Sequence, residues 1–327
     1  MTHTWTHRLF ALLAVATLLL AACANDKNSS ATKTVSAGPT AIPVTAAPAF
    51  PVSVTRSDGK SLSVPQVPAR VASLSPGATE ILYVIGAEAS LVAVDKDADY
   101  PDAAKNFATK VDAFKPNIES IAALKPDLVI VASDTGGIVA KLDELKIPVY
   151  YIDLNKDVQN IDDVFSQIIL LGRVTGKSDK AQSVVADLGD RRTKVTLAIR
   201  GTTSQNAPRV YHELDDTFYS ASTGSFVGDI YATLHMTNIA GDGRGVAYPQ
   251  LTQEAIIAAN PQLIILADEA FGVSVDSVEA RPGWSVIEAV KNNKIFAIDP
   301  NIISRPGPRI IDALEMLAKD AYPDLVK

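Results

Sequence analysis

Four histidines, one cysteine and a few acidic clusters have the widest chemical reach in this 327-residue chain. His3 and His7 fall in an N-terminal apolar segment, so only His212 and His235 remain for metal or acid–base work. Two histidines are too few for a histidine-rich transition-metal site. His212 alternates with Tyr211 in a strand-like run and reads as structural. His235 follows a helical run, where a cation suits the negative end of the helix dipole. Asp95, Asp97 and Asp99 imitate the opening of a calcium loop. Tyr100 then stands where that loop needs glycine and Asn106 where it needs a bidentate glutamate, which excludes calcium. Gly241–Gly245 is glycine-rich without a nucleotide fingerprint and reads as a mobile loop. A hydrolase would need a nucleophile elbow, a metal constellation or paired carboxylates. Neither G-x-S-x-G nor H-E-x-x-H occurs, and Ser225 with His212 is the one conceivable nucleophile–base pair. A single cysteine excludes internal disulfides and multi-cysteine metal sites. The chain is therefore not expected to be an enzyme, nor to hold a resident metal or cofactor.

Composition narrows the partners. The chain is 47% hydrophobic, with 37 acidic against 30 basic residues and a formal net charge of −7, so no basic excess exists to neutralise nucleic-acid phosphates. Residues 1–22 read as a signal peptide: Arg8 precedes an apolar run from Leu9 to Leu20. Twelve residues rise only about 18 Å as a helix, short of a ~30 Å hydrocarbon core. Leu20-Ala21-Ala22-Cys23 resembles a bacterial lipobox, which makes Cys23 the lipidated first residue of the mature chain; a plain secretory signal with an incidental cysteine is the alternative. Residues 23–51 hold the lipidated cysteine and a tether of small and polar residues that cannot bury a core. The expected location is extracytoplasmic, anchored to the membrane by lipid.

The elements that would position any site come next. A hairpin is expected from Val52 and Val54 to Leu62 and Val64 around Asp58-Gly59. Buried strands are expected at Arg70–Ser75, Leu91–Val94, Asp127–Val131 and Pro148–Ile152, then at Arg209–Leu214, Gln262–Ala267 and Lys294–Ile298. Helical runs lie between them, including Ala78–Ile85, a long stretch broken near Gly172 and Gly176, and a closing helix over Pro306–Asp320. The pattern is α/β: two Rossmann-like lobes with parallel sheets, residues 52–176 and 201–327, joined by one long α-helix over 177–200. A repeat supports like construction of the lobes. Glu119 leads a short apolar helix followed by Pro126 and a buried strand; Glu254 and Pro261 repeat this 135 positions later.

The segments SLSPGATEILYVIGA, DADYP, IPVYYID and LGRVTGKSDKA, with YPQLTQEAI, PGWSVIEAVKNNKIFAID and RPGPRIIDALEMLA, carry a resemblance. In order and spacing they are similar to the Fe³⁺-siderophore and vitamin B12 periplasmic binding proteins, over roughly Val52 to Asp324. The resemblance implies a class III periplasmic binding protein, a monomer gripping its ligand between the lobes for an ABC permease dimer with its ATPase subunits. It implies that Glu119 and Glu254 dock onto that permease. It implies ligand contacts from Tyr100, Phe114 and Tyr248, with Tyr219 a weaker fourth, and a cleft-lining loop from Asn301 to Arg305. Cobalamin or a related corrinoid is the expected ligand, with a ferric siderophore second and haem third, for which a tyrosine would be the axial ligand.

Overall fold

The structure is a computed structural model and describes residues 50–326 except Ser204. The signal segment, Cys23 and the tether up to residue 49 lie outside the described residues. The chain opens with an antiparallel hairpin, β1 (Val52–Thr55) and β2 (Ser61–Val64), as the alternation requires: Val52, Val54, Leu62 and Val64 are buried, and Gly59 turns the chain at φ 80°.

The first sheet takes β3 (Val71–Leu74), β4 (Leu91–Asp95), β5 (Lys110–Val111), β6 (Leu128–Val131) and β7 (Val149–Tyr151), all parallel, in the order β5-β4-β3-β6-β7. The second takes β8 (Arg209–Glu213), β9 (Thr237–Asn238), β10 (Leu263–Leu266) and β11 (Ile295–Ala297), also parallel, in the order β11-β10-β8-β9. Inner strands β3, β6 and β10 are buried at every position, as their unbroken apolar or small-residue runs require when helices cover both faces. The two-residue strands β5 and β9 were not expected; Lys110-Val111 and Thr237-Asn238 carry no apolar pattern.

The helices that matter for the site are α1 (Pro76–Val84), α2 (Ile118–Ala123), α3 (Ile161–Val174), α4 (Ser178–Ala198), α5 (Phe226–Thr233), α6 (Gln253–Ala259), α7 (Pro300–Ile303) and α8 (Ile310–Ala321). Between the last strand of the first sheet and the first of the second, the chain runs through α3 and α4. The expected break at Gly172 does not occur. Helix α3 passes through it, and the glycine serves instead the close approach of α4, since a Cβ there would come within 2.4 Å of the Ala181 Cβ. The chain turns instead at Gly176, φ 70°. The closing helix starts at Ile310, later than its apolar pattern suggests, since Pro306, Gly307 and Pro308 oppose a helical start there.

Helix α4 buries Ala181, Val184, Leu188 and Val195, and Arg191 pairs with Asp312 and Glu315 of α8 at 2.6 Å each. One apolar cluster runs from the hairpin through Leu82, Leu128, Ile168 and Leu188 to Val210, Leu263 and Leu314. Each such buried leucine or isoleucine contributes roughly 1.5–3 kcal/mol. The two sheets therefore share a core along α3, α4 and α8.

Candidate functional site

In each sheet the chain first moves outward on one side of its opening strand, then crosses to the other. That reversal lies between β3 and β6 in the first sheet and between β8 and β10 in the second. Open α/β sheets bind ligands in the crevice beyond the carboxyl ends of such strand pairs.

The first crevice is open. Its cavity, about 520 Å³, is lined by Leu74 to Gly77 after β3, by Asp95 and Asp97 after β4, and by Ala113 and Phe114. Val131, Ala132 and Ser133 from the end of β6 continue the wall, and Pro300, Asn301 and Ser304 to Pro306 close it from the α7 side. A neighbouring cavity of about 350 Å³ shares Leu154, Asn155, Ser304 and Pro306 with it and adds Ser225, Phe226, Ala247 and Tyr248. Together they make a trough between the first sheet and the second-lobe loops. The start of α1 forms its floor: Ser75 caps the helix by accepting from the Ala78 N–H, and Pro76 occupies the first turn. Gly77 permits the close approach, since a Cβ there would lie 2.6 Å from the Pro306 carbonyl oxygen.

The second crevice is plugged. Glu213 at the end of β8 is fully buried and accepts two 2.6 Å bonds from Arg281, whose guanidinium lies 4.6 Å from the Trp284 ring and 5.4 Å from that of Phe218. Asp268, just past β10, is 1% exposed, and neither carboxylate oxygen has a hydrogen-bond partner. Burial, reinforced by the Glu213 charge, pushes its carboxyl up to about 7.

Charge at the trough is distributed unevenly. Asp95 is 1% exposed and accepts from the backbone N–H groups of Asp97 and Ala113; burial raises its pKa. Arg305 reaches across from the second lobe, but its guanidinium is committed. It donates to Glu80 Oε1 at 3.2 Å, Asp99 Oδ1 at 2.5 Å, Asn301 Oδ1 at 2.7 Å and the Asp97 carbonyl at 3.3 Å. Glu80 also receives two bonds from Arg309. Arg305 therefore ties the lobes together, with both Nη groups engaged by protein oxygens, while it lines the trough.

The other expected contacts divide. Phe114, Asn301 and Arg305 line the larger cavity, with Phe114 67% exposed. Tyr248 lines the adjoining one. Tyr100 faces a separate space of about 690 Å³ between α1, α4 and the start of α8, where the Arg309 guanidinium sits 4.3 Å from its ring. Tyr219 bridges Gln250 at the surface and lines none of these cavities. Glu119 and Glu254 are exposed in the first turns of α2 and α6, and neither pairs with another side chain among the described residues. Sequence reasoning missed Glu80, Arg309 and the facing of Asp95 and Asp97 into the trough.

The alternatives for catalysis find no geometry. The Ser225 hydroxyl caps α5, accepting from the Gly228 N–H and donating to the Ser222 carbonyl. The fully buried His212 turns Nδ1 to the Tyr231 hydroxyl at 2.6 Å, and burial lowers its pKa to about 3. His235 bonds the Thr202 hydroxyl through Nδ1 at φ 60°, just past the end of α5. No cluster of metal-ligating residues occurs among the described residues.

A family model described as periplasmic binding protein matches residues 71–302. The chain belongs to the periplasmic binding protein family. An ABC transporter substrate-binding lipoprotein of Bacillus subtilis, YvrC, is 29% identical over 98% of both chains. A vitamin B12-binding protein of Vibrio vulnificus is 32% identical over 76% of this chain and 89% of its own length. A solved structure of a possible iron-binding periplasmic solute-binding protein from Staphylococcus epidermidis superposes with a TM-score of 0.68 at 28% identity, covering 79% of this chain and 100% of that one. As a periplasmic binding protein, the chain has two parallel sheets joined through α3 and α4, the class III architecture that the sequence resemblance implied. The open crevice lies where such a protein would take its solute.

Proposed function

We propose that this protein is the extracytoplasmic substrate-binding lipoprotein of an ABC importer, acts as a monomer without catalysis, and carries cobalamin or a related corrinoid in the trough. The observation that carries the ligand class is the charge of the lining. Its charged side chains among the described residues are Asp95, Asp97 and Arg305, and the one cation is already held by Glu80, Asp99 and Asn301. An anionic ferric siderophore, or haem with its two propionates, would meet two carboxylates and no free cation, an uncompensated repulsion. A corrinoid of zero or positive net charge presents a flat apolar ring for Phe114 and Tyr248 and amide N–H donors for the Asp97 carboxylate and Asn155. The B12-binding relative supports the same class.

Lipidation at Cys23 supplies the anchor in this reading, supported by the lipoprotein relative aligned over 98% of the chain. No helix among the described residues is long and apolar enough to cross a membrane. Glu119 and Glu254, exposed and unpaired, are the docking residues for the permease.

Intrinsic-fluorescence titration of the purified protein with cyanocobalamin, an anionic ferric tris-catecholate siderophore and haemin separates the ligands. The expected result is saturable quenching by cyanocobalamin at the lowest concentration, with the ligand recovered unchanged. Saturation by the iron complexes alone would assign the protein to iron import, and hydrolysis of any of the three would make it an enzyme.

A further inference from the structure

The two glutamate-bearing helices are fastened to the sheets by the same device. Just past α2 stands Lys125 at φ 46° and just past α6 Asn260 at φ 47°, 135 positions apart, and each helix leaves its last carbonyls unsatisfied by the helix itself. In the first lobe Arg70, immediately before β3, reaches those carbonyls: Nε lies 3.1 Å from the oxygens of Leu124 and Lys125, and Nη2 lies 2.6 Å from Leu124. In the second, Arg209, the first residue of β8, does the same to Ala259 and Asn260, with Nε at 3.1 Å from both and Nη2 at 2.7 Å from Asn260.

A second fastening makes each arginine part of the sheet. The side chain of the residue after the repeat's proline accepts from the arginine's own backbone: Asp127 Oδ1 from Arg70 N at 2.9 Å, and Gln262 Oε1 from Arg209 N at 3.2 Å. In return, Asp127 N donates to the Arg70 carbonyl and Gln262 N to the Arg209 carbonyl, both at 2.9 Å. A guanidinium at a helix C-terminus is favourable to the dipole, yet that alone does not require Nε to bridge the same two carbonyls in both lobes. Helices of six and seven residues are too short to hold their own direction, so what grips their far ends sets where their first turns point.

We propose that Arg70 and Arg209 are positioning residues for transporter docking, each aiming the glutamate of its own lobe. This rests on the reading of Glu119 and Glu254 as docking groups. The arginines touch no partner; they fix the orientation of α2 and α6 against rigid strands, so that two glutamates from different lobes meet two sites on one partner simultaneously.

A thermodynamic cycle tests this. The importer that co-purifies with the wild-type full-length chain is reconstituted in nanodiscs, and its dissociation constant from full-length variants is measured beside their cyanocobalamin affinity. Arg209→Gln should weaken importer binding about 3- to 10-fold and leave cyanocobalamin affinity unchanged, with Arg209→Lys recovering part of the loss. Combined with Glu254→Gln it should add nothing, because the glutamate it aims is gone; combined with Glu119→Gln its effect should multiply. Arg70→Gln should show the reverse pattern. Losses that multiply with either glutamate variant, or that fall equally on cyanocobalamin binding, would make the arginines merely structural and overturn the proposal. Glutamate variants that weaken docking while both arginine variants bind the importer normally would overturn it too, leaving the docking reading intact. A wild-type chain that captures no importer, or a Glu119→Gln, Glu254→Gln double variant that binds normally, would overturn the docking reading itself.

Discussion

Glu80 on α1 and Arg309 just before α8 form a two-pronged ion pair across the lobes: Arg309 Nε donates to Oε2 at 3.0 Å and Nη2 to Oε1 at 2.7 Å. Arg305 adds a third bond, and Glu80 is 3% exposed. Removing one member of a pair this deeply buried leaves the others uncompensated, and such losses run to about 3–5 kcal/mol. Glu80→Gln keeps the shape and removes the charge. Urea denaturation is expected to show a loss of that order; a change below about 1 kcal/mol would mean the arginines find other partners.

Beside that pair, Gly77 and Pro306 touch through backbone alone. A methyl group at 77 would sit 2.6 Å from the Pro306 oxygen, and the obstacle is main chain that cannot rotate away. Gly77→Ala should push the lobes apart at the trough floor, at a stability cost of about 1–3 kcal/mol. Calorimetric titration should show weaker ligand binding together with the lower Tm. Unaltered affinity would show that the trough does not depend on this contact.

Asp268 makes stability depend on pH. Its folded pKa, raised by burial first and by Glu213 second to about 7, lies above the usual aspartate value of 3.8. The folded state therefore binds more protons between those values, so this group's contribution falls as pH rises from 4 to 7 and levels off above. Asp268→Asn cannot ionise and should flatten that slope, making the variant the more stable of the two at pH 8. Denaturant midpoints at pH 5 and pH 8 check it; parallel curves for the two proteins would rule it out.

The aromatic contacts should separate by position. Phe114 and Tyr248 face the trough, whereas Tyr219 lies outside it. Phe114→Ala should weaken cyanocobalamin binding about tenfold or more, as loss of a large aromatic anchor does, and Tyr219→Ala should leave it unchanged. Equal losses from both would move the ligand out of the trough.

What could be read from the chain depended on whether the signal was local. Leu128–Val131 and Leu263–Leu266 are apolar at every position and announced buried strands, and the Glu119 and Glu254 segments announced the duplication. Strands β5 and β9 are two residues each, too short for any periodicity to mark them. Phe114, Asn301 and Tyr248, expected as contacts from the family resemblance, line the trough. The pairing of Arg305 was not legible, because its partners Glu80 and Asp99 lie 225 and 206 positions away, and a long-range charge pair leaves no pattern along the chain. Asp95 and Asp97 were weighed only as a calcium loop; their use as the acidic wall of a trough depends on where β4 ends.

The most direct test of a binding protein with an open first crevice and a bolted lobe interface is a crystal structure grown with cyanocobalamin. The corrin ring is expected between Phe114 and Tyr248 with the Glu80–Arg309 pair unbroken. A corrinoid seated elsewhere, or lobes parted with that pair broken, would contradict it.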